Sequence, residues 1–186
     1  AGNQPNVTLY GIERAQMAGL SDITAEFDMP IVQQVPIVTM RMTGWKGRTK
    51  ADWLADTTRT AERWAFNREI RTTFRDTLDG YEEVLEGVFP RPRASSGDTI
   101  YVSLEEGFAE SMDVKIGDEL AFNVQGMQMT TYVGSIRKVD FTKMRTRFFV
   151  LFPEGVLENA PQFQVLVTKS PNPSTTAAYR TSVVKA

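Results

Sequence analysis

The feature that most restricts the fold of this chain is the shortness of its apolar segments. The longest strongly apolar stretch, residues 148 to 152, has the length of a strand. A membrane-spanning helix would need roughly 20 such residues. Apolar residues still make up 41% of the 186 residues and charged residues 24%, which is typical of a chain that folds around a core. The sequence therefore predicts one domain, or two small ones that share a core.

Strand and helix patterns alternate at both ends of the chain and predict β-α-β units there. Pro36 falls inside a long strand pattern and marks a sheet edge or a bulge. The last helix would be capped by Ser174 or Thr175. The predicted elements are a strand at 7 to 12, a helix at about 14 to 27, a strand at 32 to 43, strands at 147 to 152 and 163 to 168, and a helix at 174 to 186.

The middle of the chain is richer in strand patterns. A helix is predicted at 49 to 64, and a strand at 66 to 74 because of the β-propensity of its adjacent Thr residues. A hairpin is predicted from strands at 119 to 124 and 128 to 139, which turn at residues 125 to 127.

A capped helix and a tight turn precede this hairpin. Ser103, with Glu106 three positions later, forms a capping box that predicts the start of a helix. Gly117 is expected to adopt a backbone angle that other residues resist, and Asp118 to bond within the turn. Such a segment could clamp a ligand, but framework is the interpretation that the pattern favours.

The chain contains neither Cys nor His, and this absence removes whole reaction classes. A Ser-His-Asp triad, a cysteine nucleophile and a zinc site built on imidazole or thiolate are excluded within these residues. The net charge of −2 argues against a dedicated nucleic-acid binder, which usually carries a basic excess. We therefore assign no catalytic residue, no cofactor-binding residue and no metal ligand, and expect no nucleic-acid partner.

Two groups of glutamates at helical spacing are the candidates for acid-base chemistry. Such runs are more often the solvated faces of helices, so we expect no catalytic role for them. The groups are Glu82, Glu83 and Glu86, and Glu105, Glu106 and Glu110.

A basic cluster and three tryptophans are the candidates for binding. The basic cluster could meet phosphates or lipid headgroups, but Asp140 lies among its members and a solvated surface is favoured. The tryptophans could line a pocket or meet a membrane interface, but core packing is favoured because aromatic side chains bury large areas. The residues are Arg137, Lys138, Lys143, Arg145 and Arg147, and Trp45, Trp53 and Trp64.

A set of segments in a fixed order covers nearly the whole chain. They are "PNVTLYGI", "VPIVTMRMTGWKG", "NREIRTTFRDTL", "EEVLEGVF", "VSLEEGFAESMDVKIGDELAFNVQG", "YVGSIRKVDF" and "RFFVLFPEGVLENAP". Together they resemble the extracytoplasmic (MacB/FtsX-like periplasmic core) domain of ABC transporter permeases, with the YbbP-like branch as the nearest likeness. Met112 and Asp113 stand where the family commonly has Leu-Gly, and Phe141 where it commonly has Trp.

The resemblance implies an α+β fold, in which a porter-like layer of β-α-β units carries an inserted mixed α/β, sabre-like subdomain. The layer would comprise residues 5 to 46 and 145 to 186, and the insert residues 47 to 144. The strands at 32 to 43 and 147 to 152 would then share one sheet.

The resemblance also implies a non-catalytic function. The domain would lie in the periplasm, outside the inner (cytoplasmic) membrane, and couple ATP-driven motion of membrane helices to a periplasmic substrate or partner. Those helices would belong to the same full-length chain, and a separate cytoplasmic subunit would hydrolyse ATP. A start without Met and an end inside a helix pattern favour a piece cut from a longer protein. The alternative is a stand-alone ligand- or lipid-binding domain, which the aromatic content favours.

Overall fold

The computed structural model describes residues 6 to 142 and 148 to 185. The strands in these residues are β1 (Val7–Ile12), β2 (Ile31–Trp45), β3 (Arg48–Thr49), β4 (Ile70–Phe74), β5 (Glu82–Gly87), β6 (Tyr101–Glu105), β7 (Glu119–Val124), β8 (Met127–Val139), β9 (Val150–Phe152) and β10 (Phe163–Thr168). The α-helices are α1 (Met17–Glu26), α2 (Lys50–Ala55), α3 (Trp64–Asn67), α4 (Glu106–Ser111) and α5 (Pro173–Val184). The chain forms two compact units, unit 1 with residues 1 to 37 and 162 to 186, and unit 2 with residues 38 to 161.

Unit 1 is an antiparallel sheet on which two helices pack. β10 lies between β1 and the first part of β2, and α1 and α5 bury the sheet's apolar side chains. Tyr179 of α5 is fully buried, and its hydroxyl lies 2.7 Å from the hydroxyl of Thr24 on α1. Pro36 pairs with Gln164, and β2 has no second strand partner there among the described residues, which confirms the predicted sheet edge.

The bounds predicted for unit 1 are confirmed closely, but its last helix begins differently. Asn172 is the N-cap of α5, because its side-chain oxygen accepts a hydrogen bond from the backbone N–H of Thr175 at 2.8 Å. The prediction of Ser174 or Thr175 as the cap is therefore wrong. Pro173 occupies the first turn, where its missing N–H costs nothing.

The strand pairings of unit 2 close into a ring. β2 pairs with β4, β4 runs parallel to β9, β9 pairs with β6, and β6 runs parallel to β8. β7 closes the ring because it pairs with both β8 and β2. The strands predicted to share a sheet do so here, with β4 between β2 and β9. The result is a mixed sheet around an apolar core that includes Met42, Trp53, Phe108, Phe122 and Phe152.

The helix predicted at 49 to 64 is wrong, because α2 ends at Ala55 and α3 begins only at Trp64. Asp56 ends α2 by accepting hydrogen bonds from the backbone N–H of Thr58 at 2.8 Å and from its hydroxyl at 2.6 Å. Side-chain bonds of this kind compete with helix formation. The following strand also starts later than predicted, at Ile70, since residues 64 to 67 are helical.

The contacts of Asp56 predict a pH dependence of stability. The Thr58 hydroxyl, then Arg48, then the Thr58 backbone N–H lower the pKa of Asp56 from 3.8 to about 2. A depressed folded-state pKa stabilises the fold above the unfolded value, and the stabilisation is lost as pH falls through the folded value. We expect the stability advantage of the chain over Asp56→Asn to disappear between about pH 4 and pH 2.

Urea unfolding at a series of pH values measures this difference. Asp22→Asn, at an exposed position of α1, controls for the loss of one negative charge. A stability difference for Asp56→Asn that stays constant over this pH range would contradict the prediction.

The capping box predicted at Ser103 is also wrong. β6 continues past Ser103, which pairs with Leu151, and the backbone N–H of Glu105 still donates to the carbonyl of Phe149 at 2.9 Å. The N-cap of α4 is Glu105, whose two carboxyl oxygens accept from the N–H groups of Gly107 and Phe108, both at 2.8 Å.

We expect Glu105→Ala to lower the free energy of unfolding by about 0.5–2 kcal/mol, the usual range for loss of a helix cap. Glu106→Ala, at the exposed next position, is the matched control and should change it by less than about 0.5 kcal/mol. Thermal and urea unfolding of both variants measure the two effects. Equal losses of unfolding free energy would show that Glu105 does not stabilise α4 as its cap.

The turns predicted in unit 2 are confirmed. Gln125 and Gly126 join β7 to β8 with positive φ angles of 51° and 94°, as a two-residue hairpin requires. Gly117 has a φ of 91°, and the carboxylate of Asp118 accepts a hydrogen bond from the N–H of Lys115 at 2.8 Å. Among the described residues, no helix is both long enough and apolar enough to span a membrane.

Candidate functional site

The first group of glutamates lies on strand β5 and not on a helix. Glu83 and Glu86 are exposed, but the side chain of Glu82 is only 1% exposed. The interpretation as a solvated helix face is therefore wrong for the element, and wrong for Glu82 in particular. Alternation along a strand explains the difference, because consecutive residues point to opposite faces of the sheet.

Glu82 is the centre of a buried ion cluster that consists of Arg75, Glu82 and Arg137. One carboxyl oxygen of Glu82 accepts from Nε of Arg137 at 2.8 Å, and the other from the guanidinium of Arg75 at 2.5 Å. The backbone N–H of Asp79 donates to the same oxygen as Arg75, at 3.1 Å. Both oxygens thus accept hydrogen bonds within the protein and the side chain is only 1% exposed, so the arrangement holds strands in place and does not present the carboxylate to a substrate in solvent.

Arg137 connects this ion cluster to strand β6 and to Phe148, which precedes β9. Its side chain is fully buried, and it donates to the carbonyl of Ser103 at 2.7 Å and to the carbonyl of Phe148. Burial lowers the pKa of Arg137 to about 10, and the attraction of Glu82 opposes this effect. Arg137 therefore remains a cation at neutral pH, and the cluster ties β5 to β8 and to the chain around β6 and β9.

The second glutamate group divides in the same way. Glu105 is buried as the cap of α4, whereas Glu106 and Glu110 are exposed, as expected for a solvated face. The basic cluster divides too, since Arg137 is buried and Lys138 is exposed. The prediction of a solvated basic surface is thus wrong for Arg137, and Lys143, Arg145 and Arg147 lie outside the described residues.

Core packing is confirmed for two of the three tryptophans. Trp45 and Trp53 are buried with their rings edge to face, 3.7 Å between centroids, and the Trp45 indole N–H donates to the carbonyl of Met112 at 2.7 Å. Trp64 is 37% exposed, and its ring meets the rings of Phe108 and Phe149 edge-on at the surface.

Unit 1 contains a groove of about 480 Å³ along β1 and the start of α1. Most of the residues that line the groove are small or apolar, and none of them has a charged side chain. The lining residues are Thr8, Leu9, Tyr10, Gly11, Ile12, Ala15, Gln16, Gly19, Leu20 and Val183. The groove can therefore take an apolar or weakly polar group, and its lining includes the hydroxyl-bearing residues Thr8 and Tyr10 but no charged side chain to activate them.

No group of three or more acidic, His or Cys side chains within residues 6 to 142 and 148 to 185 could hold a metal ion. The buried titratable residues that sequence reasoning missed, Glu82 and Arg137, are engaged with each other. Their signal was present in the sequence, because Arg137 alternates with Val133, Ser135 and Val139 on what is the buried face of β8.

The chain is similar in sequence to an ABC transporter permease. No family model matches the chain. The chain is 32% identical over 158 residues, 85% of its length, to the uncharacterised ABC transporter permease YbbP of Escherichia coli K12. It spans only 18% of the length of that relative. A crystallised domain described as part of a permease from Porphyromonas gingivalis aligns with 88% of this chain and 68% of its own, with 10% identity and a TM-score of 0.39.

Proposed function

We propose that this chain is an extracytoplasmic domain of an FtsX-like ABC transporter permease of the YbbP-like branch. The observation that carries the proposal is the 32% identity to a segment of the ABC transporter permease YbbP over 85% of the chain. The permease would be an inner-membrane protein, with this domain in the periplasm. Membrane helices of the same full-length chain would flank it.

The domain would be non-catalytic and would couple ATP-driven motion of the membrane helices to a periplasmic substrate or partner. A separate cytoplasmic subunit would hydrolyse ATP, and a periplasmic protein or lipid would be the further partner. The buried ion cluster supports only the non-catalytic part of this proposal, because its titratable groups are hydrogen-bonded to each other and to the backbone.

The porter-like layer and the sabre-like insert are part of this proposal. Unit 2 is nested within unit 1 in the sequence, since unit 1 takes both ends of the chain. This nesting supports an inserted subdomain, and unit 1 carries the β-α-β elements that the layer requires. The boundaries at 46/47 and 144/145 stay a prediction.

Cysteine labelling tests the proposed location, because these 186 residues contain no Cys. Met127→Cys, at a position 61% exposed, would be introduced into the full-length permease after its other cysteines are replaced. A membrane-impermeant maleimide should label it in spheroplasts and not in inverted vesicles. Ser135→Cys, at a buried position, is the control that should react only after denaturation. Labelling of Met127→Cys from the cytoplasmic side alone would refute the location.

A stand-alone ligand- or lipid-binding domain is the second candidate, and the groove in unit 1 favours it. A thermal-shift series with phospholipid vesicles and apolar small molecules distinguishes the two. Saturable stabilisation that Gly19→Leu abolishes would favour a ligand site in the groove. Unchanged melting with all probes would favour the permease role alone.

A further inference from the structure

The outer edge of β5 lacks a strand partner. β5 is the last strand of its sheet and pairs with β8 alone among the described residues. Alternate N–H and C=O groups along such an edge are available to another extended chain. Residues 81 to 88, called the β5 edge below, are therefore a potential template for strand addition within unit 2.

The β5 edge also concentrates exposed apolar side chains. Tyr81, Leu85 and Val88 are 43%, 46% and 61% exposed. Ile116, 39% exposed, lies beside them, because a Cβ built on Gly87 would come within 2.9 Å of its Cδ1 atom. Four of the ten exposed large hydrophobic residues in the described chain thus surround one strand. Such clustering on a protein surface marks interaction sites.

The charge of this edge selects the partner. Glu83 and Glu86 are exposed, and the β5 edge contains no basic residue. Lys138 lies opposite Glu83 on β8, but Ile136 lies opposite Glu86. Two copies of this edge pairing with each other would place glutamates against glutamates, which is unfavourable. A basic extended segment would instead meet complementary charge.

The β5 edge is held in place before any partner arrives. Glu82 anchors its start through the buried ion cluster, and the N–H of Val88 donates to the carbonyl of Gly134 at 3.0 Å at its end. A register shift between Val84 and Glu86 gives the strand a bulge at Leu85. A preorganised edge avoids part of the entropic cost of binding.

We propose that the β5 edge binds an extended segment of a partner protein, in which basic side chains alternate with apolar ones, by adding it to the sheet as a further strand. Backbone hydrogen bonds would hold the segment, and Leu85, Val88 and Ile116 would receive its apolar side chains. The glutamates would meet its basic ones. The inference concerns unit 2 and does not depend on the proposed permease function.

Fluorescence anisotropy with a labelled peptide of about eight residues, in which valine and lysine alternate, tests this proposal on the 186-residue chain. We expect saturable binding that weakens at high salt. The same peptide with glutamate in place of lysine should bind at least about tenfold more weakly. Hydrogen exchange should show new protection at residues 83 to 88 when the lysine peptide is bound.

Variants of the chain locate the site. Leu85→Lys should weaken binding of the lysine peptide at least about tenfold. Met127→Lys is the control, because it adds the same charge at a position 61% exposed on the β7–β8 hairpin. It should weaken binding of the peptide less than about threefold. Unfolding midpoints of both variants check that the fold is intact. Equal binding of lysine and glutamate peptides, or equal effects of the two variants, would overturn the proposal. Dimerisation of the chain that Leu85→Lys abolishes would assign the edge to a second copy and overturn the proposed partner.

Discussion

Glu82→Gln is expected to lower the free energy of unfolding of the chain by about 3–5 kcal/mol, because it removes the carboxylate that is hydrogen-bonded to the buried Arg137. The side chain of Arg137 is fully buried, so solvent cannot screen the loss. The remaining acceptors of Arg137 are the carbonyls of Ser103 and Phe148 and the hydroxyl of Ser103, and none of them carries a formal charge. Urea unfolding monitored by tryptophan fluorescence measures the loss.

Two further variants identify the cause of this loss. Glu83→Gln, at the exposed next position of β5, should cost less than about 0.5 kcal/mol. Adding Arg137→Met to Glu82→Gln should restore part of the stability, because an apolar side chain needs no counter-charge. If Glu82→Gln costs no more than Glu83→Gln, the ion cluster does not stabilise unit 2.

Gly87→Ala is expected to lower the free energy of unfolding by about 2–5 kcal/mol. An unfavourable backbone angle and a steric overlap both contribute to this loss. Gly87 has a φ of 81°, a region that residues with a Cβ atom avoid. A Cβ atom there would also lie 2.2 Å from the carbonyl oxygen of Gly134 and 2.9 Å from the Cα of Ser135, which are backbone atoms of β8. The pairing of β5 with β8 must therefore shift.

Gly117→Ala separates the two penalties. Gly117 has a similar φ of 91°, but nothing lies within 4 Å of a Cβ atom built there. Gly117→Ala should therefore lower the free energy of unfolding by only about 1 kcal/mol, because only the backbone angle is unfavourable. Thermal unfolding of the two variants compares them directly, and equal losses would mean that the close approach of β5 to β8 tolerates a methyl group.

The elements of unit 1 could be predicted from the sequence because local patterns determine them. β1 and β10 match the predicted strands at 7 to 12 and 163 to 168 residue for residue. The helical region was predicted at 14 to 27, and the structure has a short 3-10 turn at Arg14–Gln16 followed by α1. Apolar periodicity and flanking turn residues are signals within a few positions of each element.

Unit 2 was harder to predict because its elements depend on distant partners. β5 has glutamates at a spacing that suits a helix, and it is a strand because it pairs with β8, about fifty positions later in the chain. The closure of the ring by β7 joins β2 to β8 and has no local signal either. Non-local pairings of this kind override local propensity.

The ion cluster is not visible when charged residues are grouped by their position in the sequence, because its members are brought together by sheet face. Arg137 was placed in a basic surface with Lys138, although strand alternation puts the two side chains on opposite faces. Glu82 and Glu83 separate in the same way. Applied to the charges of β5 and β8, strand alternation would have placed both Glu82 and Arg137 on the buried face.

The most direct test of the central claim is whether this domain responds to ATP binding at a different subunit. Hydrogen exchange of residues 6 to 142 and 148 to 185 would be measured in the full-length permease, reconstituted with its ATPase, without nucleotide and after trapping with ATP and vanadate. If the domain is coupled to ATP binding, we expect its exchange to differ between the two states, and the difference to disappear when the ATPase subunit is left out. Identical exchange at every described segment in both states would contradict the account.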